Sequence, residues 1–334
     1  MDKQARKRPI KKRKKVNKNF RRMVELVVVL FIIFSVFTAR AAYDDIVSRL
    51  GNNETQVTDQ AITEVKEPPA TTTTTTNSEQ QKRNNEQMTG AINNVIATYE
   101  TKYSKAKISV VYNDLKTGFR YGYNDKEYFS VASTAKVIYA MDAYNRIASG
   151  EMDPNAPLAY KASYAAKGNG HITNNAKKKS YDLETVIMNM ITFSDNTATN
   201  ILLEGSNENM MNIVNRVYAN LGISTDQILL EANKMQPESI EKVWLHLYKN
   251  QDKYPQLLQY LRDTRLSAWI KQGIPNKTIA SKYGQVPNYS NDTSIVFGDK
   301  GDYILLVYTE GLPNPTVVIP DIAKQIDKLH EERQ

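Results

Sequence analysis

The feature that most limits how this chain can fold is a long stretch that cannot contribute to a core. Residues 51–87 are rich in Asn, Gln, Glu and Thr, include Pro68-Pro69, and hold six threonines in a row at 71–76. Such a segment buries too little apolar surface to offset the entropy of ordering it. It reads as a flexible stalk, residues 43–87, beyond the cell membrane. A packed domain must lie to one side of it, and residues 88–334 are long enough to bury a large core.

The N-terminal side is a different kind of segment. Residues 1–22 hold twelve Lys/Arg and one Asp, and residues 26–37 are apolar throughout except for Ser35. A basic head followed by an apolar run predicts a cytoplasmic tail (1–22) and a single-pass transmembrane signal-anchor (23–42), with the rest of the chain outside. Extending the run to 23–42 includes Glu25 and Arg40, and it is short for a span. The alternatives are a signal peptide cleaved near Ala39-Arg40-Ala41, with secretion of the remainder, or a buried core helix. The long basic region and the stalk favour the anchor.

The net charge of +8 does not point to nucleic acid. Outside residues 1–22 the chain has 32 basic and 35 acidic residues, so the globular part has no cationic excess to neutralise phosphates. The absence of cysteine excludes disulfides and thiolate metal sites. His171, His246 and His330 stand singly, without metal-ligand spacing, so no metal is expected. No G-x-S-x-G elbow supports a Ser-His-Asp triad. Freedom from cysteine fits an extracytoplasmic bacterial protein, and a Gram-positive surface is the expected location.

From residue 88 onward the texture is globular. Ala91, Val95, Ile96 and Tyr99 fall at helical spacing and predict a helix reaching about Tyr103. Residues 108–112 and 119–123 read as a hairpin around 113–118. A helix carries Ser133 and stops at Gly150, and 153–175 is loop-like. Helices are predicted at 182–193, 197–204, 209–221, 237–249 and 255–271, then strands at 278–282, 294–297 and 303–309, and a closing helix at 320–330. Strands flank a helical insertion. This predicts an α+β fold in which an antiparallel sheet, backed by the terminal helices, stands beside an all-helical lobe.

Ser133 and Lys136, in the segment FSVASTAK, share a helix face, so a desolvated lysine can take the serine's proton. A helix start at Ser133 also supplies free backbone N–H groups. Ser104–Lys107 and Ser239–Lys242 repeat the S-x-x-K spacing, so the motif alone is weak. Ser194-Asp195-Asn196 lies between two helices, where it offers a proton-relaying hydroxyl and an amide, or simply a helix cap. Lys282-Tyr283-Gly284 ends a strand, where the lysine can meet a carboxylate and the glycine permits close approach.

In this order, Ser133-x-x-Lys136, Ser194-Asp195-Asn196 and Lys282-Tyr283-Gly284 resemble the SxxK, SDN and KTG motifs of penicillin-recognising serine enzymes. FSVASTAK and MITFSDNTATNILLE read like class A β-lactamase sequence, and the resemblance extends from residue 88 to the C-terminus. It implies a fold of the β-lactamase/DD-peptidase type. Ser133 would form an acyl-enzyme, Lys136 would activate it, and Ser194 would protonate the leaving nitrogen. Asn196 would hold a substrate carbonyl, and Lys282, Tyr283 and Gly284 would bind the carboxylate common to penicillins and D-Ala-D-Ala peptides. The oxyanion would lie between the backbone N–H groups of Ser133 and Gln285. No cofactor is implied, and the partners would be a β-lactam or a peptidoglycan stem peptide. Lys116-Thr117-Gly118 is a literal KTG, but it precedes the nucleophile, in the predicted hairpin turn.

Three departures qualify the resemblance. No ExxLN string, whose Glu activates the deacylating water in class A enzymes, occurs here. The interval from Ser194 to Lys282 is short where that loop belongs, at 222–236, leaving only Asp226 and Glu231 as acidic residues there. Tyr283 replaces the usual Thr or Ser, and residues 283–299 contain no Arg or Lys. The sequence therefore predicts a membrane-tethered serine acyl-enzyme that deacylates β-lactams slowly. The alternatives are a working class A-type β-lactamase, with Glu231 as its candidate base, and a non-catalytic cell-wall-binding or scaffolding protein on the same fold.

Overall fold

The computed structural model describes residues 73–264 and 269–333. The expected tail and anchor, and most of the expected stalk, lie outside the described residues. Among the described residues no helix is long and apolar enough to cross a membrane.

The centre is a five-stranded antiparallel sheet in the order β2-β1-β9-β8-β7. Its strands are β1 (Lys107–Asp114), β2 (Arg120–Tyr123), β7 (Thr278–Val286), β8 (Tyr289–Phe297) and β9 (Tyr303–Glu310). The β1–β2 hairpin forms as predicted, with Val110 opposite Tyr123 and Asn113 opposite Arg120. Asp114 Oδ1 accepts the N–H groups of Lys116 and Thr117 in the turn, and Gly118 takes φ 76°. The literal KTG is therefore turn chemistry.

Strand β9 explains why the sheet is legible in sequence. Tyr303 to Tyr308 are all fully buried, and alternate residues serve different cores. Tyr303, Leu305 and Val307 pack with the terminal helices, α1 (Thr73–Lys102) and α11 (Pro315–Glu332), through Ile92, Ile96, Val318 and Ile322. Ile304, Leu306 and Tyr308 pack with the helical lobe, through Ile138, Met190 and Trp244. A strand covered on both faces reads as a continuous apolar run.

The lobe comprises α2 (Lys136–Ala148), α3 (His171–Asn174), α4 (Leu183–Thr192), α5 (Asn196–Gly205), α6 (Met210–Asn220), α7 (Gln227–Glu231), α8 (Pro237–Lys249) and α9 (Pro255–Arg262). Two short ribbons stitch it together. One is β3 (Phe129–Ser130) with β6 (Lys234–Met235), and the other is β4 (Pro157–Ala159) with β5 (Ser180–Asp182).

Several boundaries differ from expectation. Helix α1 starts at Thr73, so residues 73–87, expected as stalk, are helical. Glu79, Gln80, Lys82 and Arg83 are good helix formers with nothing apolar to reveal them, and Gln80–Asn84 and Arg83–Glu79 side chains meet one turn apart. The helix expected at 255–271 is two, α9 and α10 (Trp269–Gly273). Helix α11 begins at Pro315 and contains Pro320, where the sequence suggested a start. Pro315 occupies the first turn, where a missing N–H costs nothing.

Gly273 lets α10 lie against α11, because a Cβ there would fall 2.1 Å from the Pro320 carbonyl oxygen. Gly273→Ala should lower stability by about 1–3 kcal/mol through overpacking. Gly90→Ala, in open space on α1, should raise it by roughly 0.5–1 kcal/mol. Urea unfolding of both variants checks the pair; equal effects would contradict the close approach.

Candidate active site

The segment carrying Ser133 is fixed before the helix begins. Strand β3 pairs with β6, Val131 N–H donates to Asn233 O at 3.0 Å, and Asn291 Nδ2 donates to Ser130 O at 2.7 Å. The chain then passes through Ala132 at φ 48° into a 3-10 turn, Ala132–Ala135, and α2 starts only at Lys136. Ser133 thus sits on a tight turn ahead of the helix. Thr134 Oγ1 ties the turn to Val131 O (2.7 Å) and to the Tyr308 hydroxyl (3.0 Å) on β9. Strand β7 closes on the same turn through Gly284, where a Cβ would lie 2.7 Å from Ser133 N and 2.9 Å from Val131 O. The close backbone approach read from Gly284 is present.

Ser194 stands between α4 and α5 at φ 54°, a left-handed conformation costing about 1–3 kcal/mol outside glycine. Asp195, fully buried, holds the strained turn. Its Oδ1 accepts Ala198 N–H (2.9 Å) as the cap of α5 and the Thr173 hydroxyl (2.7 Å), and its Oδ2 accepts Thr173 N–H (3.0 Å). The capping role read from the sequence falls to Asp195, which leaves Ser194 and Asn196 free to face the cleft.

Two lysines converge on Ser194. Lys136 Nζ donates to Ser194 O (2.7 Å) and Asn196 Oδ1 (2.8 Å), with a longer contact to Ser194 Oγ (3.4 Å). None of its hydrogen bonds goes to Ser133. Lys282 Nζ donates to Ser194 Oγ (3.0 Å) and to Tyr283 O (2.9 Å). Burial lowers the Lys136 ammonium to about 7, with the Asp195 charge opposing only part of the shift. Lys282 is pushed well down by burial and then by repulsion from Lys136, against the attraction of Asp292. Behind them, burial raises Asp292 to about 7, although Ile270 N–H (2.9 Å) and Thr293 N–H (3.0 Å) bond its carboxylate. Burial also lowers Lys271 to about 8.

Ser133, Ser194, Asn196, Tyr283 and Gln285 line one cleft of about 170 Å³, together with Gly168 and Asn169. Lys136 and Lys282 lie beneath its floor, and Gly284 lies behind the nucleophile turn. Larger hollows along α1 and beside the β7–β8 turn bring no nucleophile and base together.

Sequence reasoning missed Gly168 and Asn169. The segment read as loop closes over the cleft, held by Thr173 on Asp195 and by Asn196 Nδ2 donating to Lys167 O at 2.9 Å. Gly168 and Gly170 take φ 136° and 117°, and a Cβ on Gly170 would lie 2.2 Å from Asp195 Oδ2. The Gly-Asn-Gly triplet was the available signal.

The shortened 222–236 segment brings no acid to the cleft. Asp226 caps α7 by accepting the N–H groups of Ile228 and Leu229, and Glu231 is exposed at the far end of that helix. No carboxylate lines the cleft among the described residues. Nor is any group of three or more His, Asp or Glu among those residues placed to hold a metal ion.

Gly284→Ala should cut covalent labelling at Ser133 by a serine-directed acylating reagent about a hundredfold, since a shift near 1 Å misplaces the Ser133 hydroxyl. It should leave the chain folded, because the clash is confined to the nucleophile turn and the edge strand. Rates of covalent labelling beside a circular dichroism melt check this; labelling at the wild-type rate would contradict the contact.

A family model described as the beta-lactamase enzyme family matches residues 87–329. Among solved structures, a β-lactamase from Sphaerobacter thermophilus superimposes with a TM-score of 0.64 at 21% identity, covering 73% of this chain and 98% of the other. A structure of PBP-A superimposes at 0.63 and 19% identity, covering 72% and 96%. A PBP-A mutant, solved as an acyl-enzyme complex with penicillin G, gives 0.63 at 18%, covering 75% and 97%. No curated protein matches the chain in sequence.

Proposed function

Because the chain belongs to the β-lactamase enzyme family, and is a serine hydrolase by that membership, we propose that it forms an acyl-enzyme on Ser133 with β-lactams or D-Ala-D-Ala-type wall peptides. The observation that carries this reading is the convergence of Lys136 and Lys282 on Ser194, in the cleft that Ser133 faces. With an amine poised near 7, Lys136 is a base at neutral pH. It takes the Ser133 hydroxyl proton as Oγ bonds to the carbonyl carbon. The resulting oxyanion is held by the backbone N–H groups of Ser133 and Gln285, which Gly284 brings to the same end of the cleft. On collapse the C–N bond breaks, Ser194 Oγ gives its proton to the leaving nitrogen, and Lys136 returns the proton to Ser194. Lys282, bonded to Ser194 Oγ, orients that hydroxyl.

Deacylation is the slow half. Water attacking the ester needs a base, and no carboxylate among the described residues lines the cleft. The exposure of Glu231 weighs against a rapid β-lactamase built on that residue. We place this domain outside the cell membrane, tethered by residues 23–42 with the basic tail inside. The charge asymmetry of the N-terminal segment supports that placement.

Intact-mass spectrometry of the full-length protein after adding penicillin G tests the reading. A persistent adduct of penicillin's mass is expected, absent from Ser133→Ala, with Glu231→Gln decaying at the wild-type rate. Rapid loss of penicillin without a lasting adduct would contradict slow deacylation, and labelling of Ser133→Ala would remove the nucleophile.

A further inference from the structure

Lys282 and Tyr283 together bear on what the cleft selects, on the premise that Ser133 is acylated. Lys282 is 1% exposed, and its Nζ is occupied by Ser194 Oγ and Tyr283 O. The Tyr283 ring lies over the same ammonium, its centroid 4.8 Å from Nζ. Trp269 packs edge-on against that ring at 5.8 Å, and Asn169 faces its hydroxyl. The ring is therefore held by partners other than the lysine. A lysine amine beneath an aromatic face is covered by the ring whether or not it carries its proton.

No residue lining the cleft is charged. Three neighbouring cations are turned to other partners, while Lys167 stands exposed on the loop beside Gly168. Lys136 is bound to Ser194 and Asn196. Lys271 is bound to Arg262 O and Thr264 Oγ1, and Lys234 stands over Tyr289. What Asn169, Gln285 and the edge of Tyr283 present is neutral hydrogen-bonding surface.

We infer that Tyr283 is a specificity-determining residue: it screens Lys282 from the ligand, so the cleft does not depend on an anion beside the scissile bond of the acyl donor. The cleft accepts a neutral amide or ester as readily as a carboxylate at that position. The lysine's hydrogen bond to Ser194 Oγ then orients that hydroxyl, while its other bond goes to Tyr283 O. A small hydroxyl residue at 283 would leave Nζ open to the cleft and would itself donate to a carboxylate.

The test is the second-order rate of Ser133 labelling by benzylpenicillin and by its methyl ester, in the full-length protein and in Tyr283→Phe and Tyr283→Thr. In the wild type and in Tyr283→Phe, which keeps the ring, the ester should label within about tenfold of the acid. In Tyr283→Thr the acid-to-ester ratio should rise by about tenfold or more, the size of one charge-assisted contact. A wild-type ester more than tenfold slower than the acid would overturn the inference, as would an unchanged ratio in a folded Tyr283→Thr. If that variant does not fold, the wild-type and Tyr283→Phe ratios still decide. Labelling by neither compound would remove the acyl-enzyme reading, and this inference with it; labelling by the acid alone would remove only the inference.

Discussion

The site depends on keeping two ammonium groups out of water around one hydroxyl. Lys136 and Lys282 both donate to Ser194, and both are almost wholly buried. Two buried like charges so close repel strongly, and desolvation penalises each. The arrangement is tolerable if at least one amine is neutral, and a neutral lysine is a base. What is unfavourable for stability is useful for chemistry. The acidic groups nearby limit the cost: Asp195 offsets part of the shift on Lys136, and Asp292 stands behind Lys282.

The scaffold reads as a set of supports for that cluster. Strand β7 brings Lys282 and, through Gly284, seats itself on the turn of Ser133. Helix α2 brings Lys136 one turn beyond Ser133, and the α4–α5 junction brings Ser194 in a strained backbone that Asp195 pins. The loop over the cleft is fastened to the same aspartate through Thr173. The sheet, the helical lobe and the loop therefore meet at a few side chains, and a fault in any one support reaches the reacting atoms.

Much of this was legible in sequence, for identifiable reasons. Ser133, Lys136, Ser194 and Lys282 stood out because few residue types suit such chemistry, and the structure gathers them around one cleft. Strand β9 was found because both its faces are buried. Strand β8 was read only from Ser294, although it starts at Tyr289. Ser290, Asn291, Asp292 and Thr293 look like loop, yet they are buried with their polar groups bonded to Thr309, Ser130, Ile270 and Lys282. Polarity signals exposure only when partners are lacking, and those partners lie 11 or more residues away along the chain. The cleft loop escaped for the same reason. Its Gly-Asn-Gly triplet marks a turn, but the contacts of Thr173 with Asp195 and of Lys167 with Asn196 that hold it over the cleft come from a distant part of the chain.

The central claim is that Lys136 titrates near neutral pH and so can act as a base, and it can be observed directly. In full-length protein with 13C-labelled lysine, the Lys136 Cε resonance, assigned by its loss in Lys136→Met, can be followed by NMR as pH is raised. The account predicts a midpoint near 7, with acylation of Ser133 rising through the same range because only the deprotonated amine accepts a proton. A midpoint near 10.5, the ordinary lysine value, would mean that Lys136 stays charged in the folded site, and the proposed role of this lysine as the base would be wrong.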